Sequence, residues 1–188
     1  MGAICDNFRR PKIRISGMWD TLKRYDGYIS TVNFRCGLIA SFSAAVFGGV
    51  LLKADAILKS GMESNYLLAG LLVLLAFLAL LSIYWVIKTI WPDLSTNAGG
   101  ANKPSLFFFG SVAKEFNALT YASEAAGRSI EDFEKDLAIQ VHEVAQVTLK
   151  KFQVVSKAAN CVKWCLLVMG LIVLVVVMDS LGVKLCLR

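Results

Sequence analysis

His142 is the single histidine of the chain, so acid–base or metal chemistry near neutral pH would have to be organised around it. Its surroundings do not supply that organisation. Asp136, Gln140 and Glu143 fall on one flank of a stretch with helical periodicity, while Lys135, His142, Gln146 and Gln153 fall on the side away from its apolar stripe. No nucleophile, triad or carboxylate pair faces the imidazole, and no second histidine accompanies it as a metal ligand. Catalysis is not expected, nor is a metal site or cofactor. Most of these polar side chains read as a solvated helix face. The five cysteines, Cys5, Cys36, Cys161, Cys165 and Cys186, are an odd number, contain no C-x-x-C pair and lie mostly in or beside apolar segments. They read as reduced small hydrophobes rather than disulfide partners or zinc ligands.

What surrounds these residues is an unusually greasy chain. Of 188 residues, 56% are apolar and 18% charged, with a mean hydropathy of +0.60, which excludes a disordered chain and an ordinary water-soluble domain. Residues 36–52 and 66–87 carry no charge, and residues 161–178 are interrupted only by Lys163 at their edge. At 1.5 Å rise per residue these are bilayer-spanning lengths. The second contains nine leucines, and its insertion is favourable by about several kcal/mol. Lys163 can snorkel to the headgroups beside Trp164.

The first span is the least apolar of the three and the most patterned. Gly37, Ser41, Ala45 and Gly49 recur every fourth residue, with a second row at Ala40, Ala44 and Gly48. Such rows allow close approach of another helix backbone, either within the chain or from a second subunit.

The net charge of +6 is distributed as a topology signal rather than as a nucleic-acid footprint. Seven Lys/Arg precede the first span, two follow in the loop after it, nine lie from Lys88 to Lys163, and two, Lys184 and Arg188, are in the tail. The positive-inside rule places the N-terminus and the long middle region in the cytoplasm and the C-terminus outside. Tyr84, Trp85 and Trp91 fall at the inner end of the second span and Tyr66 at its outer end, as interfacial aromatics should. The first 30 residues lack the apolar core of a signal peptide. Met1-Gly2-Ala3-Ile4-Cys5-Asp6 lacks the Ser/Thr of a myristoylation site.

The aqueous part reads as helical. Met18, Leu22, Tyr25, Ile29 and Val32 mark an amphipathic helix leading into the first span, weakened at Gly27. Residues 93–104 form a polar Asn/Gly/Pro linker, a plausible hinge. The aromatic run Leu106-Phe107-Phe108-Phe109-Gly110 must bury itself against something. Ser129 ahead of Asp132 announces a long helix. Ile130, Phe133, Leu137, Val141, Val144, Thr148, Phe152 and Val155 step along it by three and four, with no Pro or Gly from Ile130 to Trp164. The helix is expected to continue unbroken into the third span, roughly 50 residues or about 75 Å, with the N-terminal helix as partner for its stripe.

Three stretches resemble those of a known family. Asn33-Phe34-Arg35-Cys36-Gly37-Leu38-Ile39-Ala40 is similar to the acidic-x-Lys-Ala-Gly/Ser lead into the first span of the Pycsar transmembrane effectors, membrane proteins of bacterial anti-phage defence. Here Asn33 stands for an acid and Arg35 for a lysine. Phe108-Phe109-Gly110-Ser111-Val112-Ala113 resembles their Phe-Phe-Gly segment. Asp136-Leu137-Ala138-Ile139-Gln140-Val141-His142, followed by Lys150-Lys151-Phe152, resembles the Asp-Leu-Ala-x-Gln-x-His stretch before their last span.

The resemblance implies a receptor in the bacterial inner membrane. A cyclic pyrimidine mononucleotide, cyclic UMP or cyclic CMP, switches such proteins on, membrane integrity fails, and the infected cell stops growing or dies. Under that reading Phe109 can stack on a base and the Gly110-Ser111 backbone can approach a phosphate. Asp136, Gln140 and His142 can hydrogen-bond base or ribose, with Arg128 and Lys150 as charge partners.

The expected fold is an all-α membrane protein with three transmembrane helices, a cytoplasmic helical region and a last helix continuous into the membrane. Its parts are a cytoplasmic amphipathic helix at 1–35, a two-span hairpin at 36–90, a cytoplasmic helical sensor region at 91–160, and the third span with a short outer tail at 161–188. Expected partners are the lipid bilayer, a cyclic mononucleotide and further copies of the chain, with no nucleic acid. The alternatives are a membrane scaffold whose cytoplasmic helices bind a protein partner, or a small channel component. No charge sits mid-span, which argues against the channel.

Overall fold

The computed structural model describes residues 2–58, 65–91 and 104–181, and side chains within these except those of 2–11, 57, 58, 65 and 179. All but Pro104 of the hinge read over 93–104, the loop bearing Lys59 and the tail bearing Lys184, Cys186 and Arg188 lie outside the described residues, as does the side chain of Cys5. Five helices account for almost all of the rest: α1 Gly2–Leu58, α2 Asn65–Ile90, α3 Phe109–Glu115, α4 Ala118–Gly127 and α5 Ile130–Ser180. No strand occurs among the described residues. Helices α1, α2 and α5 are long and apolar enough to cross a membrane.

Local sequence explains where these helices start and continue. Gly27 does not interrupt α1; Thr21 and Thr31 donate their hydroxyls to the carbonyls of Gly17 and Gly27, both at 2.9 Å. The start of α5 follows the cap read from sequence, with Ser129 Oγ accepting from the N–H of Asp132 at 3.1 Å. Glu131 and Asp132 in its first turn complement the helix dipole. Helix α4 begins at a reciprocal capping box between Asn117 and Thr120. Helix α5 has 51 residues, a length of about 77 Å at 1.5 Å per residue, in agreement with the absence of Pro and Gly from Ile130 to Trp164.

The chain divides into two compact units, Met1–Thr31 with Pro92–Lys150, and Val32–Trp91 with Lys151–Arg188. Both α1 and α5 pass without interruption through these boundaries. In the first unit the aromatic run finds its burial. Phe107 packs edge-on against Trp19 of α1 and Phe133 of α5, with ring centroids 5.6 and 5.7 Å apart, and Arg14 Nε pairs with Glu134 Oε1 at 2.9 Å. Leu106 and Leu137 are buried. Phe107 thus stands between α1 and the stripe residue Phe133 of α5, and the Arg14–Glu134 pair joins the two helices directly.

The second unit is a three-helix bundle. Phe42, Val46, Phe47 and Val50 of α1 pack with Leu68, Leu72, Leu75 and Ala79 of α2 and Cys165, Val168 and Ile172 of α5. A second cluster joins Val32 and Cys36 to Val86, Val155 and Ala158. The order of these contacts makes α1 and α5 parallel, with α2 antiparallel to both. Cys36, Cys161 and Cys165 are free thiols buried in the bundle.

Large apolar side chains such as Val73, Phe77, Leu167 and Val173 point outward, the pattern of a surface solvated by lipid rather than by water. Trp85 lies beneath two ammonium groups, Lys157 at 4.7 Å and Lys88 at 5.4 Å from its ring, a favourable cation–π pairing. Lys163 and Trp164 are both exposed. Gly37, Ser41, Ala45 and Gly49 are exposed too. They lie on the side of α1 turned from the bundle, and a Cβ on Gly37 or Gly49 would meet nothing within 4 Å.

Leu137 is fully buried whereas Leu149, farther along α5 in the same unit, is 60% exposed. Truncation of Leu137 to Ala should cost about 2–5 kcal/mol through lost contacts and the cavity left behind, and Leu149→Ala about 0.5 kcal/mol or less. Thermal unfolding of the two variants in detergent measures the contrast.

Candidate functional site

The segment 104–108 has no helix of its own, so its backbone groups need side-chain partners. Helix α5 and the residues before it supply them. Ser105 Oγ accepts from the N–H groups of Phe107 and Phe108, both at 3.1 Å, which folds the segment into a tight turn. The N–H of Leu106 donates to Asp136 Oδ2 at 2.8 Å, and its carbonyl accepts from the hydroxyl of Tyr121 at 3.2 Å. Both polar groups of a buried residue are thereby satisfied by side chains.

Asp136 and Gln140 are one turn apart on α5 and both are buried. Gln140 Nε2 donates to Ser105 Oγ at 3.3 Å. Arg128, at the C-cap of α4, donates through Nη1 to Asp136 Oδ2 at 3.3 Å and through Nη2 to the carbonyl of Pro104 at 2.7 Å. Its side chain is only 5% exposed. Its Nε is buried without a hydrogen-bond partner, and Glu124 Oε2 lies 3.8 Å from it. The result is a charged clasp in which a buried guanidinium is bonded to Asp136 and Pro104 and left with one N–H unsatisfied.

This placement corrects part of the sequence reading. Asp136 and Gln140 are not on a solvated face, because the 104–108 segment folds over them. Lys135, His142, Gln146 and Gln153 are exposed as read. Of the residues singled out as ligand candidates, Arg128, Asp136 and Gln140 converge on one segment. Phe109, Gly110 and Ser111 follow that segment directly as the first turn of α3.

The ring of Phe109 is 67% exposed and lies 4.9 Å from that of Phe108. A Cβ on Gly110 would come within 2.4 Å of the Phe108 ring, a physical reason for glycine after the paired phenylalanines. His142 takes no part in the clasp: Gln146 Nε2 donates to its Nε2 at 2.8 Å on an exposed face. Lys150 is exposed, and the clasp contacts do not include it. Sequence reasoning missed Ser105 and Tyr121. Ser105 carried a signal in following Pro104 at a turn, whereas Tyr121 carried none.

Removal of one partner from a largely buried ion pair strands the other. Asp136→Ala should therefore destabilise the protein by about 3–5 kcal/mol, and the Arg128→Ala/Asp136→Ala pair should cost clearly less than the sum of the single variants. Unfolding midpoints of the three variants, with His142→Ala as a near-neutral control, complete the cycle.

The sequence model of the Pycsar effector protein domain matches residues 17–179. No curated protein and no solved structure matches the chain. The matched region takes in all three stretches noted in the sequence, both faces of the clasp, all of α2 and most of α1 and α5. The chain therefore belongs to the Pycsar effector family, as a helical membrane protein.

Proposed function

We propose that this protein is an anti-phage effector of the bacterial inner membrane, activated by a cyclic pyrimidine mononucleotide, cyclic UMP or cyclic CMP. Its activation impairs membrane integrity, so that the infected cell stops growing or dies. Membership of the family supports the defensive role. The observation that best supports a ligand in the first unit is Arg128, a buried guanidinium whose Nε has no hydrogen-bond partner.

A cyclic phosphodiester is the kind of anion that a guanidinium binds well. In this reading the phosphate competes with Asp136 for Arg128, and Gln140 turns from Ser105 to the base. The exposed ring of Phe109 stacks on the pyrimidine, and the Gly110-Ser111 backbone borders the phosphate. His142 and Lys150 stand farther along α5 and serve as outer contacts to base, ribose or phosphate.

The ligand can act only by binding the active arrangement better than the resting one. Release of the 104–108 segment from α5 changes what holds α5 in the first unit. That helix continues into the bundle, which gives the change a route into lipid. The outward row Gly37, Ser41, Ala45 and Gly49 is the surface on which active copies associate. The N-terminus and the 91–160 region face the cytoplasm and the C-terminus lies outside.

Saturating cyclic UMP or cyclic CMP should raise the unfolding midpoint of the detergent-purified chain, as ligand linkage requires, by the equivalent of about 2.7 kcal/mol at a hundredfold excess over Kd. Phe109→Ala, at an exposed position, should fold normally yet bind at least about fivefold more weakly, the lower bound for loss of one base–aromatic stack. No shift with either nucleotide, together with no toxicity on co-expression with a pyrimidine cyclase, contradicts the proposal.

A further inference from the structure

Residues 32–54, 65–91 and 151–178, which build the helical bundle, contain no Asp or Glu. They nevertheless carry Arg35, Lys88, Lys151 and Lys157 toward one end of the bundle, where α1 and α5 start their apolar runs and α2 finishes. Three of these cations are already used. Lys151 Nζ donates to the carbonyl of Thr89 at 2.7 Å, next to the C-terminus of α2, and Lys88 and Lys157 lie over Trp85. Arg35 is different: it is exposed and makes no ion pair or hydrogen bond with any described residue.

Arg35 also stands at the edge of a groove of about 450 Å3 between α1 and α5, within the size range of small-molecule sites. The walls are Leu38, Ile39, Phe152, Val155 and Ala159, and Ser156 contributes the one further polar group. Leu38 is 58% exposed, so the groove opens outward from the bundle and not into its core.

We infer that this groove binds a phospholipid with a net anionic headgroup, its phosphate on Arg35 within reach of the Ser156 hydroxyl and an acyl chain along the apolar walls. The match is one of both charge and shape. A guanidinium binds a phosphate in bidentate fashion, and an unbalanced cation at the edge of a span is the typical seat of an acidic headgroup. An amphiphile fits a site with one cation and otherwise apolar lining better than a free anion does, because the walls offer the free anion nothing. This site is in the membrane unit and is independent of the nucleotide reading.

The test is native mass spectrometry of the full chain released from micelles doped with equal phosphatidylglycerol and phosphatidylcholine. The wild type should retain the anionic lipid about fivefold over the zwitterionic one, the effect expected of one basic residue at an anionic surface. Arg35→Gln, a change at an exposed position, should bring the ratio close to parity, and Arg35→Lys should keep most of it. Soluble glycerol 3-phosphate should not displace the lipid. Parity in the wild type, an unchanged ratio in Arg35→Gln, or displacement by glycerol 3-phosphate would each overturn the inference. The nucleotide-induced thermal shift should be unaffected by Arg35→Gln, which separates failure of this site from failure of the proposed function.

Discussion

A backbone amide or carbonyl left unpaired in hydrocarbon costs several kcal/mol, so a chain crossing the bilayer must bond each one within its own segment. Helices α1, α2 and α5 meet this requirement along their backbones, and two of their polar side chains bond to carbonyls as well, whereas Ser43 Oγ of α1 is buried without a partner. Thr89 returns its hydroxyl to the carbonyl of Trp85 at 2.8 Å, and Ser82 reaches the carbonyl of Ala158 at 3.4 Å. The Lys151 ammonium satisfies the carbonyl of Thr89, where a cation also complements the helix dipole. Nothing in the sequence stops the same ladder at the edge of the apolar runs, so α1 and α5 extend beyond them into the other unit.

That other unit solves the problem of buried polar groups in a different way. The 104–108 segment is not helical, and its own Ser105 with side chains from α4, α5 and Arg128 between them stand in for a helix's own bonds. Asp136 is central, because one carboxylate oxygen serves both the N–H of Leu106 and the guanidinium of Arg128. A buried polar network of this kind is stabilising when complete and costly when a member is lost. Within the proposed function, that sensitivity is what a small anionic ligand exploits. Charge is balanced differently in the bundle, where Arg35 makes no ion pair with any described residue and, in the inferred lipid site, a lipid phosphate serves as its counter-ion.

Much of this was legible in sequence because it depends on local pattern. Leucine density identifies α2, and the absence of Pro and Gly from Ile130 to Trp164 carries α5 unbroken into its apolar run. Ser129 marks its start. The burial of Asp136 and Gln140 was not legible. Their positions on the helix resemble a solvated flank, and only a segment about thirty residues earlier in the chain, folding across them, removes them from water. Tyr121 escaped notice for the same reason, since its hydroxyl reaches Leu106 across the fold from a short helix with no buried residue. The small-residue row of α1 was plain, but its outward aspect is decided by which face α2 and α5 occupy. Arg35 read as a topology signal; its groove arises from the spacing of two helices far apart in sequence.

In the proposed function α5 carries an event in the first unit into the bundle without a break. The most direct test is membrane depolarisation, followed with a potential-sensitive dye during induced expression of a pyrimidine cyclase, in cells bearing a variant with two glycines inserted between Lys150 and Lys151. The insertion leaves the sequence of each unit intact and interrupts the helix at their boundary. If the account is right, the variant still gains thermal stability from nucleotide yet the cells keep their potential. Depolarisation equal to that of the wild type would contradict it.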